Sequence, residues 1–311
     1  MALTLIEAAK LNKGNTVRSA MIEIFAESND LLANVPFSTI EGNALSYNRE
    51  DTLPGVGFRG LNEAYSESTG IINPLTEALV IAGGDLDVDK MLVRTQGTDV
   101  RATQEAAKVK KLSHTIGHKM IKGDSLSEPR EFDGLQTRLT IGGSQVIEAG
   151  STDGGDALSL AIMDEAIDAA DDPTHLLMSK AMRRRFTSAS RLSTVGGHIN
   201  FTQDQFGRTQ TVYNDLPILL ADRNQDVFTT LAFDEVGSGG STASATSVYV
   251  LALREGMLEG IQNGTMEVTD LGEIDDKPVY RTRVEWYVGM VLLHPRAVTR
   301  LRGISNAAIV V

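Results

Sequence analysis

Several residue groups in this 311-residue chain have types and spacings that chemistry could use. Gly55, Gly57 and Gly60 spell G-x-G-x-x-G, which cradles a dinucleotide pyrophosphate when it follows a strand and opens a helix. Here Pro54 precedes it, and the LNEAYSESTG that follows has no helical period. A glycine-rich loop tip is the better reading, and a dinucleotide-binding enzyme stays only as a remote alternative. His114 and His118 lie four apart and would share a helix face able to hold a metal. They lack the glutamate of H-E-x-x-H, and Lys110, Lys111, Lys119 and Lys122 around them would repel a cation. Asp85, Asp87 and Asp89 alternate, so on a strand they share one face. The turn glycine and closing glutamate of a calcium loop are missing, so they read as a solvated or inter-subunit acidic face. Ser125 follows Gly123-Asp124, but the G-x-S-x-G of a nucleophile elbow is absent. Arg183, Arg184 and Arg185 could contact phosphate. On one helix they point in different directions, and a solvated or inter-subunit face is favoured. The chain is therefore expected not to be an enzyme, and to carry no cofactor or metal.

Composition narrows the classes further. There is no cysteine, which excludes thiol nucleophiles, cysteine-ligated metals and disulfides. Hydrophobic residues make up 41% and charged residues 23%, the balance of an ordinary globular chain. No apolar run is long enough to span a membrane, and the start MALTLIEAAKLNKG does not read as a signal peptide, because Glu7 interrupts it. Net charge is −12, unlike a freely diffusing nucleic-acid binder. The charge is segregated, however. Residues 91–122 hold seven Lys or Arg against two acids, net +5, so the rest of the chain carries −17. That basic stretch is either a solvated lysine face or a surface for a polyanion, where phosphate contacts need charge but no sequence code.

The elements that would position these groups follow from periodicity. Residues 16–35 read as an amphipathic helix, capped by Asn15 or Thr16 and stopped at Pro36. Residues 37–48 alternate as a strand. Residues 49–75 hold two prolines and four glycines and show no period, an unusually long loop for a packed domain. Residues 76–93 return to an extended pattern, so the two arms and the tip suggest a projecting hairpin. A long basic helix is expected over 98–122, short strands at 136–141 and 144–148, and a helix over 156–171. A strand at 175–179 leads into a helix from Lys180 to about Arg191. Extended segments follow at 194–202, 208–213, 216–221 and 227–233. GSGGSTASATS (237–247) reads as a flexible loop, 247–253 as a strand, and 278–293 as a strand with Tyr280, Thr282, Val284 and Trp286 on one side.

The order of these segments resembles the major capsid protein of tailed bacteriophages, with the Hong Kong 97-type fold. The segment NALSYNREDTLPGVGFRGLNEAYSESTGIINPLTEALVIAGGDLDVDK (43–90) resembles the family's extended E-loop, with its glycine–aromatic, Asn/Gly-Glu and Ser tip. The basic helix is similar to the spine helix. Ile121-Lys122-Gly123-Asp124 and Phe132-Asp133-Gly134-Leu135 look like the family's G-D and F-x-G-L loop. DALSLAIMDEAIDA and THLLMSKAMRRRF resemble its axial domain, and VYRTRVEWYVGMVLLHPRAVTRLRGI its closing peripheral strands.

The resemblance implies an α+β fold with an N-arm (1–36), an E-loop (43–88), an A-domain (151–268) and a P-domain (37–42, 89–150 and 269–311). It implies an icosahedral phage capsid subunit that assembles into pentamers and hexamers around double-stranded DNA. An encapsulin-like shell around a cargo enzyme is the alternative. It implies inter-subunit roles for Arg49, Phe58, Arg59, Glu63, Tyr65 and Glu67. It also implies non-specific DNA contacts by Arg101, Lys108, Lys110, Lys111, Lys119 and Lys122. Portal, scaffolding or cement proteins would be partners, no membrane is involved, and the protein would sit in the virion capsid after assembly in the host cytoplasm. Only about 15 residues precede the first helix, so scaffolding would be supplied separately or not needed. Some members cross-link the E-loop through a lysine. Residues 43–89 contain none, so no covalent cross-link is expected.

Overall fold

A computed structural model of the protein describes residues 29–96, 99–191, 199–203, 207, 209–221 and 229–310. The described chain runs α1 (Asp30–Asn34), β1 (Phe37–Thr39), β2 (Ala44–Thr52), β3 (Ile71–Ala78), β4 (Val80–Asp89), α2 (Lys90–Gln96), α3 (Asp99–Lys122), α4 (Leu135–Arg138) and β5 (Val146–Glu148). Then come α5 (Leu160–Ala169), β6 (His175–Met178), α6 (Lys180–Ala189), β7 (Ile199–Gln203), β8 (Thr209–Tyr213), β9 (Leu216–Leu220), β10 (Glu235–Val236) and β11 (Ala243–Leu251). The last four strands are β12 (Leu258–Gln262), β13 (Glu267–Glu273), β14 (Val279–Leu292) and β15 (Val298–Ile304).

Two sheets and a hairpin carry the fold. In the first sheet β14 is central, pairing β4 along one edge and β12 and β13 along the other, with β1 beyond β12. The alternation read in its sequence holds. Thr282, Val284 and Trp286 are buried, and the Trp286 Nε1–H donates to Gln262 Oε1 at 3.1 Å with its ring 5.2 Å from Phe37. The core face of α3, from Val109 through Leu112, Ile116 and Met120, belongs to the same hydrophobic cluster. The second sheet runs β5-β15-β11-β6-β9-β8-β7, with β10 alongside β11. Helices α5 and α6 cover it through Met163, Ala166 and Ile167, and through Met182 and Phe186. The separate β2-β3 hairpin stands apart from both sheets.

Several expectations are corrected. Sheet membership does not follow the linear order of the chain at three strands. β12, inside 151–268, pairs with β1 and β14 of the first sheet, while β5 and β15, assigned to the P-domain, pair in the second. The chain crosses between the sheets more than once, which local periodicity does not encode. A continuous helix over 16–35 is broken at Asn29, whose backbone is extended and whose side chain accepts from Leu31 N and Leu32 N to cap a new turn. The rest of that helix lies outside the described residues. Gly117 makes room for this cap, since a Cβ there would overlap the Asn29 side chain. Residues 90–93 are helical rather than extended because Asp89 Oδ1 accepts from Met91 N at 2.7 Å. In place of a strand at 136–141 stands α4. The G-D and F-x-G-L segments meet there, with Gly134 N donating to Gly123 O at 2.9 Å; a Cβ on either glycine would meet backbone atoms. The 237–247 loop is only half a loop. β11 begins at Ala243, and Asp153 accepts from Thr242 N and Oγ1, both at 2.9 Å.

Candidate functional site

The hairpin formed by β2 and β3 holds register from Ala44↔Ala78 to Thr52↔Ile71, so the connecting loop is residues 53–70. Every residue of that loop is exposed. Leu53, Val56, Phe58, Leu61 and Tyr65 stand among the exposed large apolar side chains, and Phe58 is fully exposed. The loop nevertheless carries its own bonds. Gly55 N donates to Ser68 Oγ at 2.7 Å and Gly60 N to Glu63 Oε2 at 2.9 Å, while Arg59 donates to Glu63 O at 3.2 Å and lies 5.2 Å over the Tyr65 ring. Arg49 sits lower, on β2 opposite Asn73, and Glu67 is exposed on the tip. The hairpin thus brings together all six residues assigned to it by resemblance. No helix follows Gly60, so the dinucleotide reading has no phosphate-facing helix N-terminus.

The base of the hairpin is fixed by residues that sequence reasoning missed. Arg138 on α4 forks onto Glu77 of β3 at 2.5 and 2.8 Å and also donates to Met290 O of β14. Tyr47 of β2 donates to Leu292 O at 3.2 Å, and burial pushes its hydroxyl pKa up. A bidentate arginine locks orientation as well as position, so the hairpin is aimed by the first sheet. No local signal in the sequence joins residues 61 positions apart.

The basic helix is less open to a polyanion than its composition suggests. Arg101 pairs with Glu105 at 3.0 Å and Asp270 at 2.5 Å and lies over Tyr280. Lys119 pairs with Glu131 at 2.6 Å and Lys122 with Asp234 at 3.1 Å. Lys108 and Lys111 border a groove of about 330 Å³ between α3 and β4, floored by Leu112, Ile116 and Phe132. Lys110, between them, is half-buried. Arg101, Lys119 and Lys122 therefore help to hold the fold together. His114 is buried, and His118 lies 3.3 Å from Thr230 Oγ1 with its pKa lowered by burial. Among the described residues no cluster of His, Asp or Glu could hold a metal ion.

The acidic D-L-D-V-D face is corrected outright. It is neither solvated alone nor awaiting a neighbour, because its partners lie on the adjacent strand. β4 pairs antiparallel with β14 so that Asp85 faces Arg283 and Asp87 faces Arg281, with contacts of 2.7 and 2.6 Å. Directly opposed opposite charges stabilise an antiparallel pair. The hydrogen bond from Arg283 holds the Asp85 carboxyl below the usual carboxylate range, and that from Arg281 does the same for Asp87. A depressed folded pKa contributes stability above the unfolded value of about 3.9, lost as pH falls through the lower folded value. We expect the wild-type subunit to melt slightly above a D85N/D87N variant at pH 6. That lead should shrink as pH falls below about 3.9 and through the lower folded value, as thermal melts across pH will show. Of the remaining candidates, Ser125 donates its backbone N–H to Asp133 in a loop turn, and Arg185 donates to Asn306.

A projecting hairpin, a long helix packed on a β14-centred sheet and a separate α/β unit together make the Hong Kong 97-type capsid fold. Solved structures share it across most of their length. The SrpI encapsulin of Synechococcus elongatus, solved as the holo complex, aligns over 100% of this chain and 99% of its own at 16% identity, TM-score 0.64. Microbacterium phage Oxtober96 aligns over 89% and 90% at 12% identity, TM-score 0.63. The capsid of a native GTA particle aligns over 89% and 91% at 13% identity, TM-score 0.61. No curated protein sequence matches the chain. The sequence profile of the major capsid protein GP7 family matches residues 12–167, half of the chain. The protein belongs to that family and is a capsid subunit, the building block of a homo-oligomeric shell.

Proposed function

We propose that this chain builds an icosahedral phage shell from pentamers and hexamers, with the hairpin tip of each subunit lying on its neighbour. The carrying observation is the tip itself. Eighteen exposed residues, internally bonded and bearing five large apolar side chains, gain nothing from water and would bury that surface on another subunit. Edge-rich extended arms are stabilised by such pairing. The shell encloses double-stranded DNA, contacted without sequence preference by the basic helix α3. It rests on non-covalent contacts, because 43–89 lacks lysine. The role is structural rather than catalytic, with assembly in the host cytoplasm and portal, scaffolding or cement proteins as partners. Full-length alignment to an encapsulin supports a second reading, a shell around a cargo protein. Electron microscopy of the expressed protein decides the first point, with closed shells, rings or tubes expected and a persistent monomer overturning the proposal. The contents decide the second. Nuclease-resistant DNA in particles isolated from their natural source supports the phage reading, and a co-purified enzyme supports the other. Boiled particles should run as a 33.5 kDa monomer on a denaturing gel.

A further inference from the structure

Two helices of the second sheet carry charge in a way the single subunit does not explain. Residues 160–172, spanning α5, contain five acids and no base, and residues 180–191, spanning α6, contain five bases and no acid. The placement runs against each helix dipole. Glu165 and Asp168 lie in the C-terminal half of α5, where the dipole favours cations, and Lys180 and Arg183 open α6, where it favours anions. Lys180 and Arg184, four apart, also repel one another.

Some of these charges are used at home. Asp164 accepts from Tyr213, Asp171 lies near Arg296, Asp172 meets Arg254, and Arg185 holds Asn306. Among the described residues, no ion pair within the subunit engages Glu165, Asp168, Lys180, Arg183 or Arg184. Glu165, Asp168 and Arg184 are exposed. Both helices bury their other faces in one core, through Met163 and Ala166 and through Met182 and Phe186, so the charged faces are turned outward. A local rule broken twice with no gain among the described residues marks a surface whose gain lies on another molecule.

We infer that the acidic face of α5 docks on the basic face of α6 of a second copy of this chain. The two faces are complementary but occupy different places on the subunit, so the contact is heterologous and closes a ring when the rotation permits. It rests on the shell reading and adds to it a specific contact, distinct from the hairpin, that sets subunit order around an axis. Complementary charges fix register and exclude wrong partners by repulsion.

Charge reversal tests this on the full chain. One variant carries Glu165→Lys and Asp168→Lys, a second Arg183→Glu and Arg184→Glu, and a third all four changes. Each reversal sets like charges face to face, and the concentration needed for assembly should rise at least about tenfold, read by sizing chromatography and microscopy. The four-fold variant restores complementarity and should assemble within about threefold of wild type. Folding is monitored separately. The new charges match the dipoles, so the unassembled subunits should melt at or above the wild-type temperature. Reversal variants that assemble at the wild-type concentration overturn the contact, as does a folded four-fold variant that stays unassembled. A wild-type chain that never assembles overturns the shell reading instead.

Discussion

Deleting residues 52–68 is expected to abolish shell formation while leaving a folded, soluble subunit. The expectation follows from where the segment stands. All of residues 53–68 are exposed, and none belongs to either hydrophobic core. Their removal exposes no cavity and orphans no buried donor, so the melting temperature of the free subunit should move little. The deletion leaves Asp51, Thr69, Gly70 and Ile71 between strands that remain in register from Ala44↔Ala78 to Glu50↔Ile72, and four residues suffice to turn a hairpin. The base stays anchored by Arg138 on Glu77 and by Tyr47 on Leu292. What is lost is the apolar tip with Val56, Phe58 and Leu61. Burying one such side chain stabilises by roughly 1.5–3 kcal/mol, and a shell repeats the contact at every subunit. Phe58→Ser is the milder form, expected to raise the assembly concentration roughly tenfold or more through that one buried side chain. Normal shells from the deletion would remove the tip from the assembly mechanism. A deletion variant that melts well below wild type would mean that the tip stabilises its own subunit.

Much of the fold is legible where one short-range period decides the outcome. In 279–292 the alternation alone places Thr282, Val284 and Trp286 inside, and in 175–191 an apolar run and a basic stretch give a strand and a helix, with Ser179, read as the strand's end, capping the helix. The tip is legible through its glycines and Pro54, because nothing in 53–70 offers a side chain at either period. Register over long separations is not legible. The aspartates of β4 read as an unpartnered acidic face because their arginines lie some 200 residues away, and only the strand pairing brings Asp85 to Arg283. The sheet partners of β5, β12 and β15 are hidden for the same reason. The basic helix misleads for a related reason. Lysines at a solvent-facing spacing look alike whether they meet water, DNA or, as with Lys119 and Lys122, an acid from a distant loop.

The largest loss of subunit stability is expected from Glu235→Leu. Glu235 on β10 and Arg300 on β15 pair at 2.8 Å with side chains only 7% and 4% exposed, and Arg300 Nε also donates to Ser247 Oγ at 3.1 Å. Both strands flank β11, and the neighbouring Asp234 pairs with Lys122 at the end of α3. This knot therefore ties the second sheet to the helix of the first. Removing one member of a buried pair strands the other as an uncompensated charge, which costs about 3–5 kcal/mol, or a fall in Tm of about 10 °C. The double variant Glu235→Leu with Arg300→Met should recover most of that loss. It removes both charges, and the Glu235 Oε1 atom that is buried without a hydrogen-bond partner in the wild type is gone with them. Thermal melts of the three proteins test the argument. A single variant as stable as wild type would mean that water entering the cleft of about 680 Å³ beside Arg300 solvates the guanidinium. The pair would then add nothing to the apolar core that the two sheets share, where Leu219, Tyr249 and Leu251 of the second join Trp286 and Val288 of the first. A single variant that melts early but regains wild-type stability with Arg300→Met would place the cost on the stranded charge. The capsid subunit would then hold its two halves together by matching charges in a place where an apolar pair serves equally well.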